Sequence, residues 1–195
     1  MQGIEKIAKL VCDYLNQHEI DYVVVGGLAA VMYGHLRVTG DIDFLIEVKQ
    51  KDIKPFIDFL NEHDFYADPE DIEIAFNEKS HFSALEKESS FRLDIKGIYT
   101  ENDRLTLKNR RGIDLEGTLI FMASPEDTIA NKLVNGSNQD MEDAKWIFLR
   151  QYPRIDFDQL EQRCSGLKVR RKLDVLRHQV ETIIDNEDEK GKDKR

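Results

Sequence analysis

Asp41 and Asp43 stand two residues apart at the head of an apolar run, Asp41-Ile-Asp-Phe-Leu-Ile46. Alternate side chains of a strand share a face, so this spacing puts both carboxylates on one side and Ile42, Phe44 and Ile46 on the other. Two carboxylates held side by side repel each other and lose hydration unless a cation neutralises them, so the pair predicts a metal. Upstream, the β-branched run Val23–Val25 ends in Gly26-Gly27, and 13 residues separate this glycine pair from Asp41. Glycines at a strand-to-helix turn let the backbone come close to a ligand and offer N–H groups to a phosphate. Asp94, central in the alternating segment Phe91–Gly97, is the acid best placed to join the pair from a second strand. Three carboxylates would supply the oxygen ligands of a two-metal site, one ion gripping a triphosphate and the other lowering the pKa of an attacking hydroxyl. The combination points to phosphoryl or nucleotidyl transfer, whereas a glycine pair or an Asp-x-Asp alone is common by chance.

These residues need a scaffold. Residues 3–18 place Ile4, Ile7, Ala8, Val11, Tyr14 and Leu15 on one helical face and lead into a strand at Tyr22–Val25. A helix over Leu28–Tyr33, a loop over Gly34–Gly40 and a strand over Asp41–Val48 complete a strand-helix-strand unit. A helix from about Lys51 to His63 follows, with Ile53, Phe56, Ile57 and Leu60 at helical spacing. Between Phe65 and Phe82 the run Ile72-Glu-Ile-Ala-Phe76 alternates like a strand. Phe91–Gly97 reads as a strand, Arg104–Leu115 as hairpin material with Lys108, Arg110 and Arg111 in the turn, and Thr118–Met122 as a strand. Ser124-Pro-Glu-Asp127 is a helix start: an N-cap serine, proline at the first position and acids in the first turn. Helices are then expected at about 125–135, 139–150, 157–164 and 167–185. The expected division is an α/β domain over 1–123, a helical region over 124–185 and a charged, disordered tail over 186–195.

Of 195 residues, 34% are charged and 41% hydrophobic, the profile of a globular protein that works in water. No apolar run approaches the roughly 20 residues of a membrane span, and the N-terminal segment lacks a signal-peptide core, so a cytoplasmic location and no membrane partner are expected. The net charge of −10 argues against nonspecific coating of nucleic acid. Residues 1–123 hold 14 basic and 23 acidic side chains, so the acidic excess lies with the Asp-rich half. Cys12 and Cys164 fit neither a zinc site nor a disulfide framework and are expected as reduced, structural thiols.

Gly26-Gly27 followed by Asp41-Ile-Asp43-Phe-Leu-Ile resembles the signature of the DNA polymerase β nucleotidyltransferase superfamily, in which a glycine pair precedes a strand carrying two acids. Within it, Arg37-Val-Thr39-Gly-Asp41-Ile-Asp43 is similar to small bacterial nucleotidyltransferases related to abortive-infection type IV toxins. Ser124-Pro-Glu-Asp-Thr-Ile-Ala-Asn-Lys132 with Gln139-Asp140-Met-Glu-Asp143 resembles a second motif of that group. The likeness spans about residues 20–150. It implies an α+β fold with a small mixed β-sheet, flanking helices and a C-terminal helical region. It also implies Mg²⁺ as cofactor, with two ions bound by Asp41, Asp43 and Asp94, and Asp94 as general base. Gly26 and Gly27 would contact the nucleotide phosphates, Arg37 and Thr39 would frame the loop over the site, and Lys132 would reach the triphosphate. Asp140 and Asp143 would orient Lys132 or the acceptor. The implied reaction moves a nucleotide from an NTP to a hydroxyl of tRNA, protein or a small molecule and releases pyrophosphate; a toxin role with a cognate antitoxin is part of the same expectation. One departure is visible: related chains carry an arginine between the lysine and the acid pair, where this one has Asn135-Gly-Ser-Asn138.

Each assignment has a plainer competitor. Asp41 and Asp43 could sit at a solvated strand edge, although strand centres disfavour Asp. Asp94 could simply pair with Lys96 or Arg92, Lys132 could be a surface lysine, and the glycines could permit close packing. Lys168, Arg170, Arg171, Lys172 and Arg177 read as a solvated helix face or an RNA dock, the former favoured. His35, His63, His81 and His178 lack zinc spacing, and Trp146 and Phe148 are expected in the core. A regulator that binds nucleotide without turnover, or an antitoxin-like protein, is the alternative to an enzyme; three intact acids favour the enzyme.

Overall fold

The computed structural model describes residues 2–192, with side-chain burial defined for 3–186. It is an α+β protein whose residues gather into two compact units. The first holds residues up to Ala29 together with Arg37–Ser124; the second holds Ala30–Leu36 and the chain from Pro125 onward.

The first unit is built on seven strands: β1 (Asp21–Val25), β2 (Asp41–Glu47), β3 (Phe65–Tyr66), β4 (His81–Glu86), β5 (Arg92–Gly97), β6 (Arg111–Leu115) and β7 (Thr118–Met122). Their order in the sheet is β3-β4-β5-β2-β1-β7-β6. The β2–β5 and β1–β7 pairs are parallel and the remaining pairs antiparallel. Helices α1 (Gln2–Gln17), α3 (Gln50–Glu62), α4 (Pro69–Asn77) and α5 (Glu101–Lys108) belong to the same unit, and α2 (Gly26–Met32) begins in it.

Alternation decides what each face of this sheet carries. Tyr22, Val24, Ile42, Phe44, Ile46, Leu93 and Ile95 point to one side and are fully buried. Leu15 of α1, Phe56 and Leu60 of α3 and Ile72 of α4 are buried with them. On the opposite side, Val23 and Leu45 form a smaller apolar cluster with Leu107 of α5 and Ala123. That cluster covers only part of the face. The next row across the sheet is Val25–Asp43–Asp94–Ser83, of which Val25 packs against the cluster.

Two elements differ from the sequence expectation. Residues 69–77 are the helix α4 and not a strand. Asp68 accepts hydrogen bonds from the N–H groups of Glu70 and Asp71, Pro69 fills the first helical position, and Ile72 and Ala75 are buried at i, i+3 spacing. The local apolar alternation at 72–76 was outweighed by this start signal, of the same type as Ser124-Pro-Glu-Asp127. Residues 101–108 form α5, whose second half overlaps the hairpin material expected over Arg104–Leu115. Thr100 and Asp103 make a reciprocal capping box, which satisfies orphan donors at the helix start. The hairpin is the later β6–β7 pair, turning at Glu116-Gly117.

The second unit contains α6 (Pro125–Asn135), α7 (Asn138–Gln151), α8 (Phe157–Gly166) and α9 (Arg170–Lys192). Ile129, Leu133, Ile147, Phe148, Leu160, Leu173, Leu176 and Val180 form its buried stripe. Trp146, expected in the core beside Phe148, is only half-buried. The helix α9 continues to Lys192, past residue 186 where order is expected to end, through Glu- and Lys-rich sequence with good helix propensity; residues 193–195 lie outside the described part. No helix among the described residues is long and apolar enough to cross a membrane. Cys12 and Cys164 are buried and free, and burial pushes their thiols up to about 12 and about 11.

Candidate active site

In the first unit β2 and β5 run parallel with Asp41 opposite Arg92 and Asp43 opposite Asp94. Because the register pairs odd positions of β2 with even positions of β5, all four side chains rise from the face that is not packed with Phe44 and Ile95. Asp94 therefore lies beside Asp43 on one side of the sheet. Its Oδ1 accepts a hydrogen bond of 2.5 Å from the Ser83 hydroxyl on β4, and its Oδ2 accepts one of 2.9 Å from Arg92 Nε. Arg92 Nη2 lies 2.8 Å from the same Oδ2 and 3.4 Å from Asp41 Oδ2. The plainer reading of Asp94, a pair with Arg92, is thus realised together with its placement beside Asp43.

The loop before β2 closes on the glycine turn. Thr39 donates to Asp41 Oδ1 at 2.8 Å. Gly26 has φ +68, a left-handed conformation, and a Cβ there would run into Asp43 Oδ2. A Cβ on Gly27 would meet Thr39 Oγ1 at 2.5 Å and Arg37 Nη2 at 2.8 Å. Both glycines are required by what they touch: Gly26 by the second acid, Gly27 by the two loop residues. Replacing Gly26 with alanine should lower stability by at least about 1–2 kcal/mol from the left-handed backbone alone, before the overlap with Asp43 is counted. A denaturant midpoint unchanged from wild type would contradict this.

The second unit holds a separate polar cluster. Ser137 and Asp140 form the capping box that starts α7, which directs the Asp140 carboxylate toward α6. Lys132 Nζ of α6 lies 2.9 Å from Asp140 Oδ1 and 2.7 Å from Asp143 Oδ2. Asp143 is fully buried and also meets His35 Nδ1 at 2.6 Å and Gln139 Nε2 at 3.1 Å. The His35 ring stacks against Trp146 at 6.2 Å between centroids. Burial works to lower the Lys132 pKa, but hydrogen bonds to Asp143 and Asp140 overcome it and hold the ammonium above its ordinary value. Burial works to raise Asp140, while Ser137 and Lys132 bring its carboxyl below the usual value.

These directions define a pH window. Asp140 titrates lower in the folded chain than its ordinary 3.8, so its contribution is complete above that pH and is lost as pH falls through the folded value. Lys132 titrates above its ordinary 10.5, so its contribution is complete below that pH and is lost as pH rises through the folded value. The stability difference between wild type and Asp140→Asn should stay flat from about pH 5 to 9 and close under acid. Thermal unfolding across pH checks it, and a difference that grows under acid would rule it out.

Gly26, Gly27, Arg37, Thr39, Asp41, Asp43 and Asp94 thus fall in the first unit, and Lys132, Asp140 and Asp143 in the second. The expectation that Lys132 is available to a triphosphate meets a side chain already paired with two acids and only 8% exposed. Three residues of these clusters are not singled out as site residues by the sequence: Ser83, His35, which is considered only for zinc, and Arg92, which is considered only as a partner of Asp94. The two-residue spacing of Arg92 and Asp94 was the one available signal. In the basic patch, Arg170 and Arg177 pair with Glu161 at 2.8 Å each, and Lys172 donates to the Leu133 carbonyl at 2.6 Å.

Asp41, Asp43 and Asp94 are the residues that could hold a hard cation, since every donor is a carboxylate oxygen. Among the described residues no three His, Cys, Asp or Glu side chains are drawn together closely enough to cage an ion as they stand.

A glycine turn, a two-acid strand and a third acid in register beside it coincide with a family match over residues 1–185. The chain belongs to the DUF6036 family, nucleotidyltransferases of unknown function. No curated protein matches the sequence. Among solved structures, an antigenic nucleotidyltransferase-like protein from Paracoccidioides brasiliensis is 17% identical, with a TM-score of 0.57 over 90% of this chain and 92% of that one. ANT(2'')-Ia in complex with adenylyl-2''-tobramycin is 12% identical, with a TM-score of 0.57 over 87% of this chain and 99% of that one. A putative nucleotidyltransferase from Thermotoga maritima is 16% identical, with a TM-score of 0.50 over 78% and 94%. At these identities the likeness of this DUF6036 chain to them is one of fold.

Proposed function

We propose that this family member transfers a nucleotide from an NTP to an acceptor hydroxyl. The acceptor oxygen bonds to the α-phosphorus, the bond to the β-phosphate bridge breaks, and pyrophosphate leaves. The observation that carries this reading is the strand register setting Asp94 beside Asp43, next to Asp41, on one face of the sheet. Asp94, steadied by Ser83, is placed to accept the proton of the attacking hydroxyl. Gly26 and Gly27 bring backbone N–H groups to the phosphates, with Arg37 and Thr39 closing over them. Asp41, Asp43 and Asp94 would hold Mg²⁺, which when bound offsets phosphate charge and makes the hydroxyl more acidic. In this reading residues 1–123 are the catalytic part. Lys132, Asp140 and Asp143 act as a set in the helical part, residues 124–185.

The acceptor is a small molecule, tRNA or a protein. The first has support from ANT(2'')-Ia, whose structure holds an adenylylated tobramycin. Kinship with abortive-infection toxins, and with it a cognate antitoxin, rests on the run Arg37-Val-Thr39-Gly-Asp41-Ile-Asp43 and the Lys132 motif. The test is incubation of the full chain with ATP, CTP, GTP or UTP and Mg²⁺ beside bulk tRNA, cell-extract protein and aminoglycosides, read by intact mass. Transfer of one nucleotide mass with stoichiometric pyrophosphate is expected. Binding of an NTP without transfer to any acceptor class would favour a nucleotide-binding regulator instead.

A further inference from the structure

We propose that Arg92 is the resident counter-cation of Asp41 and Asp94 and that a divalent ion enters by exchange with its guanidinium. This rests on the reading of Asp41, Asp43 and Asp94 as metal ligands.

Arg92 lies opposite Asp41 in the parallel register and two residues before Asp94, so its side chain must rise among the carboxylates. Its Nη2 lies 2.8 Å from Asp94 Oδ2 and 3.4 Å from Asp41 Oδ2, and its Nε donates to Asp94 Oδ2 at 2.9 Å. One planar cation therefore spans acids from two strands, as a rigid guanidinium fork can. It sets a positive charge between Asp41 of β2 and Asp94 of β5, which would otherwise repel each other.

The guanidinium is a cation held by geometry, so a competing cation has to displace it. The displacement is feasible because the Arg92 side chain is 45% exposed and ion pairs that open to water are weak. Asp94 is better anchored, at 17% exposure, with Oδ1 on Ser83. Release of Arg92 then frees Oδ2 of Asp94 and Oδ2 of Asp41 together, while Ser83 keeps the Asp94 carboxylate in place. A freed guanidinium would stand beside the site with its fork open to phosphate oxygens, so metal and nucleotide binding favour each other.

The test titrates Mn²⁺ alone into the full chain, read by electron paramagnetic resonance of the free ion, for wild type, Arg92→Gln, Arg92→Lys and Asp43→Asn. Arg92→Gln should bind Mn²⁺ roughly two- to fivefold more tightly than wild type. Its thermal midpoint should be lower than wild type without metal and recover when Mn²⁺ is added. Arg92→Lys, which keeps the charge but loses the fork, should fall between. If Arg92→Gln does not fold, the lysine variant decides: tighter binding than wild type supports the exchange, and equal binding overturns it. Equal or weaker Mn²⁺ affinity in Arg92→Gln, with binding lost in Asp43→Asn, overturns the role of Arg92 and leaves the metal site standing. Binding unaffected by Asp43→Asn, or no binding to wild type and Arg92→Gln alike, overturns both.

Discussion

Asp43→Asn should abolish nucleotide transfer while leaving the fold intact. Asparagine keeps the shape of the side chain that packs against Gly26 but removes the negative charge from the centre of the row between Asp41 and Asp94. If that charge offsets the growing charge of a reacting phosphate through a bound cation, transfer should fall by on the order of 10²–10³-fold or more. Asparagine fills the same space against Gly26, so the thermal midpoint should stay close to that of the wild type. Transfer is read by intact mass, and the thermal midpoint is taken on the same sample. Wild-type turnover in this variant would remove Asp43 from the chemistry.

Lys132→Ala should cost the helical unit a large part of its stability. Asp143 is wholly buried, with Lys132 Nζ 2.7 Å and His35 Nδ1 2.6 Å from its carboxylate. Removing one partner of a buried ion pair leaves the other charge uncompensated, which costs about 3–5 kcal/mol. Replacing Lys132 with methionine and Asp143 with leucine together should recover much of the loss, because the charge that needs compensation is then absent. Urea unfolding of the three variants decides it. A loss below about 1 kcal/mol for Lys132→Ala would mean that His35 and Gln139 satisfy Asp143 without it.

A comparable buried pair, Arg163 with Asp127, sits in the same unit and has no part in the proposed chemistry. Burial of an ion pair therefore does not by itself identify a working residue here. What sets the Lys132 cluster apart is that it ties three chain segments, at 35, 132 and 140–143, through one carboxylate.

Local signals carried well where short-range physics is decisive. The helix at Pro125–Asn135 begins where Ser124-Pro-Glu-Asp127 says it should, and β2 presents Asp41 and Asp43 on one face because a two-residue spacing allows nothing else in a strand. They carried poorly where two local patterns compete. Ile72-Glu-Ile-Ala-Phe76 satisfies a strand period, yet its burial at Ile72 and Ala75 follows the helix that Asp68 and Pro69 start. Thr100 and Asp103 specify α5 in the same way, in a stretch whose positive charges draw the eye to a turn.

From the amino-acid sequence alone follow the glycine turn, the paired acids and the candidacy of Asp94, since each depends on neighbours a few residues away. The tertiary structure decided the rest. A slip of one residue between β2 and β5 would have sent Asp94 into the core and Leu93 to the acids, and no periodicity within either strand can specify that register. It also decided that Arg92 bridges Asp41 and Asp94 and that Lys132 is paired, because those partners are brought within hydrogen-bond reach only by strand pairing and helix packing.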